Sequence, residues 1–195
     1  MITKDEGRQE VKKQIATFRD NLSQYTQINY KEAQARKEFI DKFFLALGWD
    51  VNNDQGLAEQ YKEVINEDSL KISGNTKAPD YAFRIGTTRI FFAEAKKPHV
   101  NIKDDAEPAL QLRRYAWNAK IPISILTSFR GFAVYDCRIK PNPNDSASVA
   151  RVQYFDFEEY DEKFDLIWDI FSKEAVLKGS FDRYVESKSI FVLSW

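Results

Sequence analysis

Between Pro79 and Pro98 the chain reads PDYAFRIGTTRIFFAEAKKP, and this stretch limits the available folds more than any other. Tyr81, Phe83 and Ile85 alternate with Ala82 and Arg84, the two-residue period of a strand. Gly86 marks a turn, and Ile90, Phe91, Phe92 and Ala93 follow without a polar break. A strand that is apolar on both faces needs cover on both faces, which helices normally supply. The helices are legible. Val11, Ile15, Phe18 and Leu22 predict one from about residue 8 to 26, and Phe39, Ile40, Phe43, Phe44 and Leu47 mark a second from about 30 to 47, stopped by Gly48. A third is expected from about 105 to 119 and a last from about 160 to 178, closed by Gly179. ISILTS and FAVYDCRI read as further strands and VARVQYFDF as an edge strand, whereas the polar run from Leu57 to Lys77 has no clear period. The predicted order, α-α-β-β-β-α-β-β-β-α, implies an α/β three-layer sandwich with a central mixed sheet flanked by helices.

Several chemistries are excluded. One cysteine, Cys137, leaves no disulfide framework or Cys-based zinc site, and its apolar setting reads as core. One histidine, His99 in a loop, leaves no His-rich metal cluster. There is no phosphate-binding G-x-x-x-x-G-K-[ST] loop, no glycine-rich cofactor loop and no N-P-P-[YF] run. No stretch of 18 apolar residues and no apolar leader occurs, so a soluble, cytoplasmic protein without a membrane partner is expected. The four tryptophans, Trp49, Trp117, Trp168 and Trp195, read as core residues.

What remains unexplained is why an apolar strand ends in Glu94, Lys96 and Lys97. Buried charge is costly unless it is paired or binds a metal. Folding at Gly86 brings Asp80 near Glu94 at one end of the sheet, and Lys96 lies on the same face as Glu94. Two carboxylates with a backbone carbonyl and waters suit Mg²⁺, and a neighbouring amine can hold a water and a phosphate, the parts that phosphodiester hydrolysis needs. The plain alternative is an edge-strand Glu–Lys pair worth under about 1 kcal/mol.

Pro79-Asp80 followed by Glu94-Ala95-Lys96 resembles the PD-(D/E)xK nuclease signature. QLRRY places Gln111 and Tyr115 four apart on the next helix, a Q-x-x-x-Y motif similar to that of RecB-like nucleases and of the N-terminal endonuclease domains of type I and type IIG restriction enzymes. NYKEAQARKEFIDKFFLALGWDV resembles the first helix of those domains, and the likeness runs from about Asn29 to Gly179. It implies a restriction-endonuclease-like core and a Mg²⁺-dependent DNA endonuclease, with Mn²⁺ able to substitute. It also implies Asp80 and Glu94 as metal ligands, Lys96 as catalytic, and Gln111 and Tyr115 as orienting groups. A helical glutamate supports the metal in such families. Glu32 is the first match and Glu38 the second, although Glu32 with Arg36 reads equally as a surface i,i+4 pair. Lys97, Arg113 and Arg114 are candidate DNA contacts, or solvated charges, and Glu63 reads as a surface acid.

These expectations describe one nuclease domain over residues 1–179, a helix at 1–28 and a core at 29–179, with 180–195 a tail that begins a linker helix in longer relatives. The apolar end of the chain is what a longer parent would show. With a net charge of −1 and a pI near 6.0, tight unaided binding of double-stranded DNA is not expected. A methyltransferase or specificity subunit or domain would deliver the nuclease, and transient pairing of two copies would cut both strands. A non-catalytic DNA-binding or assembly module, and a repair nuclease of the same fold, are the alternatives.

Overall fold

Thr3 starts the first helix. Its hydroxyl accepts from the Glu6 amide while the Glu6 carboxylate accepts from the Thr3 amide, the reciprocal pairing of a capping box. Helix α1 (Lys4–Asp20) therefore begins about a turn before the apolar period at Val11 suggests, and a short α2 (Leu22–Tyr25) follows. In this computed structural model residues 2–67, 70–72 and 75–189 are described. The expected second helix is one rod with three segments: α3 (Glu32–Ala35), a π-helical turn (Arg36–Ile40) and α4 (Asp41–Ala46).

The ambiguous polar stretch contributes β1 (Val64–Asn66), β2 (Leu70–Ile72) and β3 (Asn75–Lys77). The 79–98 hairpin is β4 (Tyr81–Ile85) and β5 (Thr88–Ala95), turned at Gly86 with φ +59°, a left-handed conformation that glycine adopts without strain. Helix α5 (Ala106–Ala119) crosses from β5 to β6 (Ile123–Thr127). After it come β7 (Gly131–Asp136) and β8 (Arg151–Asp156). Six strands form one sheet in the order β1-β4-β5-β6-β7-β8. Among the described residues only the β5–β6 pair is parallel, as the helical crossover requires, and β2 and β3 form a separate hairpin. The expected sandwich with a mixed sheet is the fold observed.

Each face of the central hairpin is covered. On one, Phe83 and Phe91 stack at 4.4 Å and meet Trp49, Phe44 and Phe171. On the other lies α5, which Glu94 reaches through Gln111. The last helix is broken rather than continuous. Ser172 is extended (φ −67°, ψ 152°) and its hydroxyl accepts from the Ala175 amide, ending α6 (Phe164–Phe171) and capping α7 (Lys173–Leu177). Within the expected tail, α8 (Ser180–Ser189) packs Phe181 on Phe91 at 5.6 Å; Trp195 lies outside the described residues. Trp49 and Trp168 are buried as expected, but Trp117 is exposed on α5.

Gly7 is where α1 meets the end of α4. A Cβ there would lie 2.3 Å from the Ala46 carbonyl oxygen and 3.0 Å from the Trp168 ring. Alanine favours helix by about 1 kcal/mol over glycine, yet here backbone would have to move, which costs about 1–3 kcal/mol beyond that gain. Gly7→Ala should therefore lower the urea midpoint of unfolding; a raised midpoint would show that the two helices have slack.

Candidate functional site

Pairing of Tyr81 with Ala93 sets the register of the hairpin and leaves Asp80 facing Glu94 at its open end. The Asp80 amide donates to Glu94 Oε2 at 3.4 Å, and the Ala95 amide donates to Asp80 Oδ2 at 2.8 Å. The two carboxylates thus converge. Lys96 Nζ donates to Glu94 Oε1 at 2.9 Å, and its backbone amide bonds the Thr127 carbonyl, fixing the strand end on β6. Helix α5 brings Gln111 and Tyr115 to the same place: Gln111 Nε2 donates to Glu94 Oε1 at 2.6 Å and to the Tyr115 hydroxyl at 3.0 Å. Glu94 on β5 and Gln111 on α5, 14 and 31 positions from Asp80, thus meet it in one network.

The opposite flank carries a residue that helical spacing hid. Arg36, at the start of the π turn, donates from Nη1 to Asp80 Oδ1 at 3.2 Å, from Nε to the Tyr81 hydroxyl at 3.2 Å and from Nη2 to Asn66 Oδ1 at 3.2 Å. Its guanidinium lies over the Tyr81 ring at 4.7 Å, and the Tyr81 hydroxyl donates to Asp41 Oδ1 at 2.6 Å. A π turn widens the helix locally and often marks a functional position. The i,i+4 reading gave Arg36 to Glu32; the guanidinium instead bonds Asp80.

The charges are strained against one another. Burial, then the nearby Asp80 charge, pushes the Glu94 carboxyl up to about 7 despite Lys96 and the Asp80 amide. Burial opposes the charge on Lys96, but Glu94, Glu32 and Asp80 outweigh it and hold the ammonium form above its ordinary range. Burial also raises Glu32, with Lys96 pulling it down and Asp80 pushing it up.

Two crowded, oxygen-bearing acids of which one resists ionisation fit a hard divalent cation, whose charge would relieve their repulsion. Asp80 and Glu94 would hold it. Glu32 feels the site's charges but does not complete a ligand set: among the described residues, no three His, Cys, Asp or Glu side chains are gathered closely enough to hold a metal ion. Glu38 turns away to accept from the Tyr30 hydroxyl at 3.0 Å, beside a groove of about 460 Å³ between α1 and α4 that shares no lining residue with the Asp80–Glu94 network.

Other candidates lie elsewhere. Arg113 is 1% exposed, paired with Asp145 at 2.7 Å and bonded to the Ile139 carbonyl, so it is a structural ion pair and not a surface available to phosphate. Arg114 is exposed, and Lys97 donates to the Ile28 carbonyl at 2.9 Å. Glu63 is buried, contrary to its surface reading: it accepts from the Asp50 amide at 3.0 Å and pairs with Lys173. Cys137 is buried and His99 exposed, both as expected. No helix among the described residues is long and apolar enough to cross a membrane.

No protein-family model matches the chain, and no solved structure matches it. Among curated proteins, 177 residues, 90% of the chain, are 40% identical to the type II restriction enzyme and methyltransferase RM.Eco57I of Escherichia coli. The chain spans 18% of that protein's length, and along nearly all of itself it is similar to this one portion of a restriction enzyme and methyltransferase.

Proposed function

We propose that the chain is the DNA-cleaving module of a restriction system, a divalent-cation-dependent endonuclease with a PD-(D/E)xK site at Asp80, Glu94 and Lys96. The observation that carries this reading is the convergence of Asp80 and Glu94 on adjoining strands with Lys96 at 2.9 Å from the Glu94 carboxylate. The 40% identity to a restriction enzyme and methyltransferase supports it. A Mg²⁺ held by Asp80 and Glu94 would supply Lewis-acid charge to a phosphate oxygen and make water easier to deprotonate. The chain's own residues prepare for that. Lys96 sets a fixed positive charge where negative charge builds on the phosphate. Gln111 holds Glu94 through Oε1 and is itself tied to Tyr115, so the carboxylate keeps one orientation. Arg114, exposed on the same helix, is the phosphate contact left among the candidates on α5.

Delivery to double-stranded DNA falls to a methyltransferase or specificity part, as expected for a chain without excess positive charge. Cleavage of both strands then needs two copies, transiently paired, or two successive nicks. Supercoiled plasmid incubated with the chain and Mg²⁺ or Mn²⁺ tests the reading. Nicked and linear products that EDTA suppresses are the expected result. Intact plasmid in both metals, with a gel shift in Ca²⁺, would favour a non-catalytic DNA-binding module instead.

A further inference from the structure

We propose that Arg36 is a positioning residue and resident counter-ion of Asp80, one that competes with a divalent cation for the carboxylate and so sets how tightly the site holds its cation. The inference rests on the reading of Asp80 and Glu94 as cation holders. Its basis is the way Arg36 is seated. Of the guanidinium's contacts, Nη1 alone goes to the Asp80 carboxylate. The others go to the Tyr81 hydroxyl, the Asn66 side chain and the Asp80 backbone carbonyl, while the plane rests on the Tyr81 ring. Tyr81 is in turn anchored by Asp41. The guanidinium therefore keeps its place whether or not Asp80 bonds to it, and its charge cannot withdraw when a cation arrives.

Lys96 plays the matching part at Glu94. The site thus holds two acids and two cationic side chains, each acid hydrogen-bonded to one of them. An incoming dication must share Asp80 with a cation 3.2 Å from its oxygen, and both side chains are mostly buried, where like charges are poorly screened. Arg36 also restrains the carboxylate's rotation. Removing its charge should then have opposite effects on two quantities: tighter cation binding, because a competitor is gone, and slower turnover, because Asp80 is no longer held.

Calorimetric titration of the chain with Ca²⁺, which occupies oxygen sites without requiring catalysis, reads the first quantity; plasmid nicking against Mg²⁺ concentration reads the second. Arg36→Met keeps an aliphatic stem on the Tyr81 ring without charge, and Arg36→Gln serves the same purpose if the methionine variant does not fold. Either should bind Ca²⁺ about tenfold more tightly than the unaltered chain, the effect of losing one nearby charge, with a lower apparent Mg²⁺ requirement and a lower maximal rate. Arg36→Lys, which keeps the charge, should stay near the original affinity. A purely structural role predicts weaker binding and slower turnover together, and that result, or unchanged Ca²⁺ affinity, overturns the proposal. Asp80→Asn separates the two levels. If the unaltered chain binds Ca²⁺ and Asp80→Asn does not, the cation reading stands and only the Arg36 variants decide. If Asp80→Asn binds as well as the original, the cation reading falls and the proposal with it.

Discussion

Supercoiled plasmid should remain supercoiled with Asp80→Asn or Glu94→Gln under conditions in which the unaltered chain nicks it, a loss of about a thousandfold or more. Each substitution keeps the shape of the side chain and removes one of two negative charges that would hold the cation. Transition-state stabilisation by a metal is worth several kcal/mol, and about 4 kcal/mol corresponds to a thousandfold in rate. The surrounding bonds say why neither loss can be shared. Asp80 takes the Ala95 amide and Arg36, and Glu94 takes Lys96 and Gln111. No third acid is gathered among the described residues to stand in. Lys96→Met should cost less, about a hundredfold, because the cation set survives and one electrostatic donor is lost. Folding of each variant is checked by its thermal midpoint. If Asp80→Asn and Glu94→Gln both nick within about tenfold of the original, these carboxylates do not hold the catalytic ion, whatever their geometry.

The members of this site were legible in the sequence to unequal degrees, for reasons that are physical. Asp80, Glu94 and Lys96 sit on a hairpin, where period-2 alternation and a single turn residue determine which side chains meet. Gln111 and Tyr115 follow from the spacing of one helix. Arg36 was not legible as a partner of Asp80, because the four-residue rule that assigned it to Glu32 holds for an α-helix and the rod passes into a π turn at that residue. The burial of Arg113 was not legible for another reason. It depends on Asp145, in a loop of turn formers 32 residues away that no period connects to α5. Glu63 is the same case at longer range, since Lys173 lies 110 residues on. The early start of α1 was local and readable: Thr3 and Glu6 form a capping box whose residues precede the apolar stripe. Local pattern reveals what one element does to itself or its neighbour, while long-range ion pairs emerge only once the layers are assembled.

Glu94 also makes a prediction about pH. Its folded carboxyl titrates at about 7, against an ordinary value of 4.5, because burial and then Asp80 disfavour the ionised form. Between those two values the folded chain keeps a proton that the unfolded chain has released. Stability therefore falls as pH rises through this window; the favourable contribution is complete below the unfolded value and lost above the folded one. Each unit is worth about 1.4 kcal/mol, so the whole window amounts to about 3 kcal/mol. The Glu94 side chain is 3% exposed, and solvent does not screen the effect away. Because other groups titrate over the same range, the measurement is a difference. Urea unfolding of the unaltered chain and of Glu94→Gln, each from pH 5 to pH 8, should diverge by about 3 kcal/mol in favour of the variant at the alkaline end. With its oxygen kept toward Lys96 and Gln111, the variant's amide NH2 meets the Asp80 N–H, donor against donor, which lowers the variant's curve by a constant amount and leaves its slope as the evidence. The same proton links to the cation. Below pH 7 an ion bound at Asp80 and Glu94 must displace it, so Ca²⁺ affinity should rise about tenfold per pH unit and level off above 7. Parallel stability curves, with Ca²⁺ affinity flat across that range, would mean that Glu94 is ionised in the folded chain before any cation arrives.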